Sequence, residues 1–440
     1  MSHNGHPVTP TTRSGASRRF DLVLWGATGF TGELVAEYIA RHYGSERSER
    51  SEKLRWAIGG RSRGKLEKVR EALAGIDPGA AGLPILLGDS GDRASLDAIA
   101  RDARVVVSTV GPYALYGAEL VAACVEAGTD YCDLTGEPQF VRRMIDAHHA
   151  RAQATGARIV HCCGFDSIPS DLGTLMVQTR MREQHGCAAA EVRCLHSSNG
   201  FSFSGGTVAS MLQITKEAMA DRGVRRILAD PYSLDPQHER KSGQRSQRDQ
   251  LGVRWDADLA RWSGPFALAA TNSRVVRRTN ALLGYAYGRD FHYQEAMSTR
   301  AGAQGWLQAA AMSVGNAGFF AGAAVPPVRW LLEKTVLPGP GEGPSKEERE
   351  RGRFTARFVG VSEARSGAPP AKVFGAVRGM QDPGYGETAK MLTEAAVCLA
   401  LDADATAPGG GVLTPGACMG MRLVERLRAA GMTFETSEHR

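Results

Sequence analysis

The sequence predicts an α/β protein with an N-terminal doubly wound parallel sheet and a second α+β domain. Short apolar runs alternate with segments of helical spacing as far as Gly164, the pattern of a sheet covered by helices on both faces. A glycine-rich turn follows the first apolar run, Phe20–Trp25. The chain has 440 residues, more than one hydrophobic core usually organises, so two domains are expected.

Six strands with helices between them are predicted in the N-terminal part. Their apolar runs are short and several end at glycine, as buried parallel strands do, and the segments between them place apolar residues three and four positions apart. The predicted strands are Phe20–Trp25, Leu54–Ile58, Leu83–Leu87, Arg104–Val110, Tyr131–Leu134 and Ala157–Cys163. The predicted helices are Gly32–Tyr43, Gly64–Leu73, Arg93–Arg101, Gly117–Ala127 and Pro138–Ala154.

The regular alternation ends after Gly164, which predicts a different architecture for the rest of the chain. Further strands are predicted at Glu191–Ser197, Tyr285–Glu295, Phe354–Val359 and Ala371–Val377, and further helices at Thr207–Ala220, Thr388–Ala400 and Met419–Ala430. Residues 235–256 are polar and charged, which predicts an exposed excursion. The predicted division is a disordered tail (1–19), a first domain (20–164), a second α+β domain (165–380) and C-terminal helices (381–440) that pack back on the first domain.

Composition excludes several classes of protein. The formal net charge of +6 is small and the basic residues are scattered, so no nucleic-acid-binding surface is expected. The eight cysteines include no C-x-x-C pair, which argues against a metal site or a disulfide framework and suits a reducing cytoplasm. Residues 1–19 lack an apolar core, which excludes a secretory signal and leaves a disordered tail or a transit peptide.

No charged residue occurs between Arg300 and Arg329. Three interpretations stay open: a buried core helix, a peripheral contact with a membrane or lipid through residues 301–328, and a membrane span. The segment is rich in alanine and glycine and contains several amides and hydroxyls, which weaken transfer into lipid. This composition favours the buried helix.

The turn after the first strand has the spacing of a dinucleotide-binding loop. Three glycines stand three residues apart between a strand and a helix, the arrangement of a Rossmann domain. Residues 20–164 are therefore predicted to bind a nucleotide, and residues 165–380 to form the substrate domain. The glycines would allow a tight turn, a close approach of the pyrophosphate and close packing of helix on strand, while the helix N-terminus offers free N–H groups to phosphate. The predicted cofactor contacts here are Gly26, Ala27, Thr28, Gly29, Phe30, Thr31 and Gly32.

The end of the second strand predicts which nucleotide binds. NAD-binding domains place an acidic residue there to hold the ribose hydroxyls, whereas this chain has Arg61 and Ser62. A guanidinium can pair with a 2′-phosphate, so NADPH is the predicted cofactor, with NADP preferred over NAD. Asp89, after the third strand, either reaches the adenine or caps the next helix.

The end of the fourth strand is predicted to border the nicotinamide. Val110, Gly111 and Pro112 stand where the order of strands reverses, and a glycine there lets a cofactor pass close to the backbone. Tyr113 either lines the nicotinamide pocket or packs in the core.

These residues, with others downstream, resemble the saccharopine dehydrogenase-like oxidoreductases, and within them the actinobacterial trans-acting enoyl reductases. The resemblance extends from residue 20 to residue 435. Its motifs are G-A-T-G-F-T-G (26–32), G-G-R (59–61), V-G-P-Y-A-L-Y-G (110–117), D-L-T-G-E-P (133–138), C-G-F-D-S-I-P-S-D-L-G (163–173), D-P-G-Y-G-E-T-A (382–389) and L-T-P-G-A-C-M-G (413–420).

The resemblance implies reduction of an enoyl thioester, an acyl substrate carried on a polyketide synthase that lacks its own enoyl reductase, in complex lipid synthesis. The reaction needs an acid. Asp166, after the sixth strand, and Tyr113 are the candidates, although Asp166 could instead cap the following helix. A reductase of an imine or keto substrate is the alternative enzyme; it would need a carboxylate clamp, for which Arg274, Arg277 and Arg278 are available. A non-catalytic nucleotide-binding protein associated with lipid is the alternative outside enzymes.

Overall fold

The computed structural model describes residues 18–44, 52–199, 205–235, 247–325, 327–328, 330, 344–364, 369–407 and 409–438. Most of the predicted N-terminal tail, residues 1–17, lies outside the described residues. Two seven-stranded sheets organise the described chain, the first parallel and the second mixed. The predicted fold class, an α/β protein with a second α+β domain, is confirmed.

The strands of both sheets follow in chain order. They are β1 (Phe20–Trp25), β2 (Trp56–Gly60), β3 (Ile85–Leu87), β4 (Ala103–Ser108), β5 (Asp130–Asp133), β6 (Arg158–Val160), β7 (Glu191–Asn199), β8 (Arg254–Asp256), β9 (Arg261–Gly264), β10 (His292–Ser298), β11 (Arg353–Val361), β12 (Lys372–Gly379), β13 (Gly411–Leu413) and β14 (Thr433–Ser437). The first sheet has the order β13-β6-β5-β4-β1-β2-β3, and the second has the order β14-β12-β11-β7-β10-β9-β8.

Helices cover both faces of the first sheet and one face of the second. They are α1 (Phe30–Tyr43), α2 (Arg63–Ala74), α3 (Arg93–Asp102), α4 (Tyr113–Tyr116), α5 (Ala118–Ala127), α6 (Pro138–Thr155), α7 (Ile168–His185), α8 (Gly205–Ala220), α9 (Arg222–Ala229), α10 (Ala269–Leu282), α11 (Gly302–Ala324), α12 (Lys346–Arg351), α13 (Gly386–Leu401), α14 (Pro415–Cys418) and α15 (Gly420–Ala429). Short 3-10 turns occupy Pro78–Gly82 and Ala403–Ala405.

Side-chain alternation along β4 shows why the first sheet is buried on both sides. Val105 and Val107 belong to the core under α1, α2 and α13, whereas Val106 belongs to the core under α3, α5 and α6. Successive residues of a strand point to opposite faces, so an unbroken apolar run needs cover on each. Burial of each such side chain contributes roughly 1.5–3 kcal/mol relative to exposure.

The six predicted N-terminal strands are present, and β13 adds a seventh beside β6. The sequence did not predict β13, because three residues after a Gly/Pro stretch carry too little periodicity. The C-terminal segment also supplies α13, which packs against α1, β4 and β5. There the hydroxyl of Tyr38 donates to Glu394 Oε1 at 2.7 Å, and that of Tyr43 donates to Glu394 Oε2 at 2.8 Å.

The strand predicted at Tyr285–Glu295 and the exposed excursion predicted at 235–256 need correction. The strand predicted at Tyr285–Glu295 begins only at His292, because Tyr285, at φ +61°, lies in a turn between Gly284 and Gly288. The predicted exposed excursion at 235–256 is partly wrong. Its residues 236–246 lie outside the described residues, but Gln247 is buried and β8 pairs with β9.

The uncharged helix α11 is not the buried core helix that its composition favoured. Leu307 and Val314 are 60% and 74% exposed, while the inner side of the helix packs on α8 and β9. A Cβ at Gly264 of β9 would lie 3.0 Å from the Ala309 carbonyl oxygen, so small residues let the strand and helix approach closely. Within the described residues, none of the helices combines the length and apolarity needed to cross a membrane.

Candidate active site

The nucleotide loop, Gly26–Gly32, connects β1 to α1. Gly26 has φ +93°, and a Cβ there would lie 2.6 Å from Val110 Cγ2, so only glycine fits. A Cβ at Gly32 would lie 2.1 Å from the Gly26 carbonyl oxygen. Gly29 is the N-cap of α1, and no side-chain hydrogen bond to the first-turn N–H groups is found among the described residues. The first-turn N–H groups are therefore available to an anion.

The residues predicted to recognise the 2′-phosphate lie at the ends of β2 and β3. The Arg61 side chain is 76% exposed, and its Nη1 is 3.9 Å from Asp89 Oδ2. Ser62 is the N-cap of α2 but makes no side-chain capping bond. Asp89 Oδ1 accepts a hydrogen bond from Gly91 N at 2.8 Å. Asp89 does not cap α3; Asp92 does, through Ala94 N.

The Gly111–Pro112 segment leads from β4 into the short helix α4. Tyr113 follows it and is buried, and its hydroxyl donates to the Ser108 carbonyl oxygen at 2.9 Å. Burial and the nearby Asp133 carboxylate raise the pKa of Tyr113 well above its usual value. The ring borders a cavity, but the hydroxyl is engaged with the backbone of β4.

Glu137 organises this segment, and the sequence did not single it out. Its Oε1 accepts from Tyr113 N at 2.8 Å and its Oε2 accepts from Ala114 N at 2.9 Å, so a side chain distant in sequence caps α4. Ser210 of α8 donates its hydroxyl to the same Oε1 at 2.9 Å. Burial raises the pKa of Glu137. The Glu137 carboxylate therefore connects the segment after β4 to α8. In the sequence, only its place in the 133–138 motif pointed to Glu137.

A cavity of about 340 Å³, called here the Asp166 cavity, opens beside this segment. Residues from the first sheet side, including Thr31, Gly111 and Gly136, form one wall. The opposite wall comes from α8, α9, α10 and the residues before α10, and is largely apolar. Asp166 provides the one carboxyl group among the described lining residues.

Asp166 presents a protonatable carboxyl group to the cavity. No described residue donates a hydrogen bond to its carboxyl, and burial raises its pKa to about 7. A carboxyl with this pKa is substantially protonated at neutral pH and can donate a proton. The alternative role as a helix N-cap is not observed, because Ser167 occupies the N-cap position of α7.

A buried polar network holds the Asp166 segment from behind. The Ser167 hydroxyl donates to Asn272 Oδ1 at 3.1 Å, and Asn272 Nδ2 donates to Glu295 Oε1 at 2.6 Å. His196 Nε2 lies 3.4 Å from the same Glu295 oxygen and 3.3 Å from Cys194 Sγ. The network joins the start of α7 and α10 to β7 and β10, so elements of the second sheet hold the loop that carries Asp166.

The arginines proposed as a carboxylate clamp do not line the Asp166 cavity. Arg274 pairs with Asp249 at 3.3 Å. Arg277 donates to the carbonyl oxygens of Pro231, Gln247 and Tyr293, all within 3.1 Å. Arg278 donates to the carbonyl oxygens of Leu234 and Val412. These guanidinium groups hold the backbone around α10, so none of the three is placed to clamp an amino-acid substrate in this cavity.

Known proteins match both the first sheet and the chain as a whole. The family model of the saccharopine dehydrogenase NADP-binding domain matches residues 22–160. A Mycobacterium tuberculosis protein, named provisionally as a trans-acting enoyl reductase, is 44% identical over 428 residues, which cover 96% of this chain and 98% of the relative. The chain belongs to the saccharopine dehydrogenase-like family of trans-acting enoyl reductases. The resemblance drawn from its motifs is thereby confirmed.

A second relative and a solved structure also match nearly the whole chain. A trans-acting enoyl reductase of Mycobacterium bovis is 41% identical over 438 residues, covering 96% of this chain and 99% of the relative. The solved structure of saccharopine dehydrogenase (L-Glu forming) from Saccharomyces cerevisiae shares the fold, with a TM-score of 0.51 at 12% identity over 94% of this chain and 99% of that one. The family assignment gives this oxidoreductase an NADP(H)-binding N-terminal domain.

Proposed function

We propose that the chain is an NADPH-dependent enoyl reductase acting on a thioester carried by a partner polyketide synthase. The observation that carries the proposal is the position of Asp166, a protonatable carboxyl in an apolar cavity bordered by the nucleotide-binding edge of the first sheet. The relatives at 41–44% identity are named as trans-acting enoyl reductases, one of them provisionally, which supports the proposal.

The residues present fit NADPH. The first-turn N–H groups of α1 and the glycines of the nucleotide loop would hold the pyrophosphate. A side chain at Gly26 would clash with Val110 and one at Gly32 with the Gly26 carbonyl, so the turn that presents these N–H groups needs glycine. Arg61 and Ser62 would hold the 2′-phosphate, and Asp89 would border the adenine. Val110, Gly111 and Pro112 would border the nicotinamide. When bound, NADPH supplies the hydride that reduces the double bond at the β carbon.

The chain's own residues would bind the acyl group, exclude water and deliver a proton. The apolar wall of the Asp166 cavity, which includes Met211, Ile214 and Leu268, suits a hydrocarbon chain. Asp166 would hold a proton on its carboxyl and give it to the α carbon as enolate charge develops at the thioester. Tyr113 would act as a wall of the site, because its hydroxyl is engaged with Ser108.

The domain roles follow from the same proposal. Residues 20–164 would hold the nucleotide and residues 165–380 the acyl substrate, while residues 381–440 would support the first domain. A lipid contact through residues 301–328 stays a prediction, supported by the exposed apolar side chains of α11.

The test is NADPH consumption with an enoyl thioester, using the saturated thioester of the same chain length as the matched control. The proposal expects turnover with the first and none with the second. A keto or imino acid would serve as substrate if the alternative reductase were correct. A protein that binds NADPH but consumes none with any of these compounds would be the non-catalytic alternative.

A further inference from the structure

The outer face of the second sheet carries a cluster of arginines that the proposed reaction does not use. α7 covers the opposite face, where Phe358 packs so closely that a Cβ at Gly173 would lie 2.3 Å from its ring. Residues on β11 alternate between the two faces. Arg357, next to Phe358 in sequence, therefore points to the outer face, where a cavity of about 330 Å³ lies.

Three arginines border this second cavity, called here the arginine cavity: Arg261, Arg357 and Arg378. Arg357 lies opposite Ala376 of β12, and Arg378 follows two residues later on the same face. Arg378 Nη1 pairs with Glu435 Oε2 at 2.6 Å. The three guanidinium groups and the one carboxylate leave a formal charge of +2.

The other two arginines have no acidic partner among the described residues. Arg357 Nη1 donates only to the Ser197 hydroxyl, at 3.3 Å, and no carboxylate of the described chain lies within ion-pair distance of Arg261. Burial, together with the charges of Arg261 and Arg378, lowers the pKa of Arg357. Like charges gathered in a half-buried site repel one another, and an anion placed between them would relieve that repulsion.

We propose that the arginine cavity binds the phosphate group of a small organic phosphate. A doubly charged phosphate matches the uncompensated charge, and guanidinium groups form paired hydrogen bonds with phosphate oxygens. Leu259 and Phe374 also line the cavity, so it offers apolar contact to the organic part of the ligand. The site is separate from the nucleotide loop and does not depend on the proposed reaction.

The probe is inorganic pyrophosphate, titrated calorimetrically into the full chain without nucleotide, so that no organic phosphate competes for the arginine cavity. Arg357→Ala and Arg261→Ala are each expected to weaken binding about tenfold or more, the loss of one charge-assisted contact. The matched control is Arg353→Ala, on the same face of β11 four residues away and outside the cavity lining, which should change affinity less than twofold. Unchanged melting temperature and NADP⁺ affinity would show that each variant is folded.

Two results would overturn the proposal. One is the absence of pyrophosphate binding to the wild-type chain at millimolar concentration. The other is an equal loss of affinity in Arg357→Ala and Arg353→Ala, which would mean diffuse surface attraction rather than a built site.

Discussion

Gly136 lies directly against Asp166: a Cβ at Gly136 would stand 2.9 Å from Asp166 Oδ2. The glycine thus leaves the space that the carboxyl occupies at the wall of the cavity. The contact joins the loop after β5 to the loop after β6, at the edge where the nucleotide and the substrate are proposed to meet.

Substituting Gly136 with alanine should therefore displace the carboxyl and lower activity. We expect kcat for enoyl reduction to fall by about tenfold or more, since small misplacements of reacting groups carry large penalties. The affinity for NADPH should change little, because the nucleotide loop is untouched. The control is Gly82→Ala, where an added Cβ meets nothing within 4 Å. Equal kcat in the two variants would show that activity does not depend on the space that Gly136 leaves for the Asp166 carboxyl.

Asp166 and Tyr113 can be separated as acids by two near-isosteric substitutions. Asp166→Asn should lower kcat by about a hundredfold, the usual contribution of a general acid, with NADPH affinity retained. Tyr113→Phe should keep activity within a few-fold and lose about 1 kcal/mol of stability, because its hydroxyl bonds to Ser108. A large loss of kcat in Tyr113→Phe and a small one in Asp166→Asn, measured by steady-state kinetics, would make Tyr113 the donor of the proton.

The raised pKa of Asp166 also predicts how stability depends on pH. The folded state holds this proton more tightly than the unfolded state, so the contribution is fully present below about pH 4 and is lost as pH rises to about 7. Asp166→Asn removes the penalty of burying the charged form. Its free energy of unfolding relative to wild type should rise between pH 4 and 8 by up to about 4 kcal/mol. Denaturant unfolding at several pH values measures this, and a constant difference would contradict the raised pKa.

Cofactor selectivity should depend on Arg61. Arg61→Ala removes a guanidinium that would pair with the 2′-phosphate, so affinity for NADPH should fall about tenfold or more while affinity for NADH stays within twofold. Arg41→Ala, an exposed arginine at the far end of α1, is the matched control. Fluorescence titration with both nucleotides measures the ratio. An unchanged NADPH-to-NADH ratio in Arg61→Ala would assign the selectivity to other residues.

The first domain could be predicted because its signals are local. The periodicity of its strands and helices and the spacing of Gly26, Gly29 and Gly32 can each be seen within a short stretch of sequence. Glu137 could not be assigned in the same way, since its partners Tyr113, Ala114 and Ser210 come together only in the folded chain.

The second half of the chain was harder to predict, because its signals depend on contacts between distant segments. α7 is buried along most of its length and therefore lacks the amphipathic pattern that marks a surface helix. Residue type alone did not show where the side chains of Arg277 and Arg278 point. Both donate hydrogen bonds to backbone carbonyl oxygens and do not line the Asp166 cavity. The small residues of α11 favoured a helix buried in the core. In the structure they allow close packing on β9 along one side of the helix only.

The central claim is that this chain transfers hydride from NADPH to an enoyl thioester. The most direct measurement uses NADPH deuterated at the transferable C4 position and follows the product by mass spectrometry and NMR. We expect one deuterium at the β carbon of the saturated thioester, and a solvent-derived proton at the α carbon whose delivery slows in Asp166→Asn. NADPH binding without any deuterium in the product would contradict the central claim.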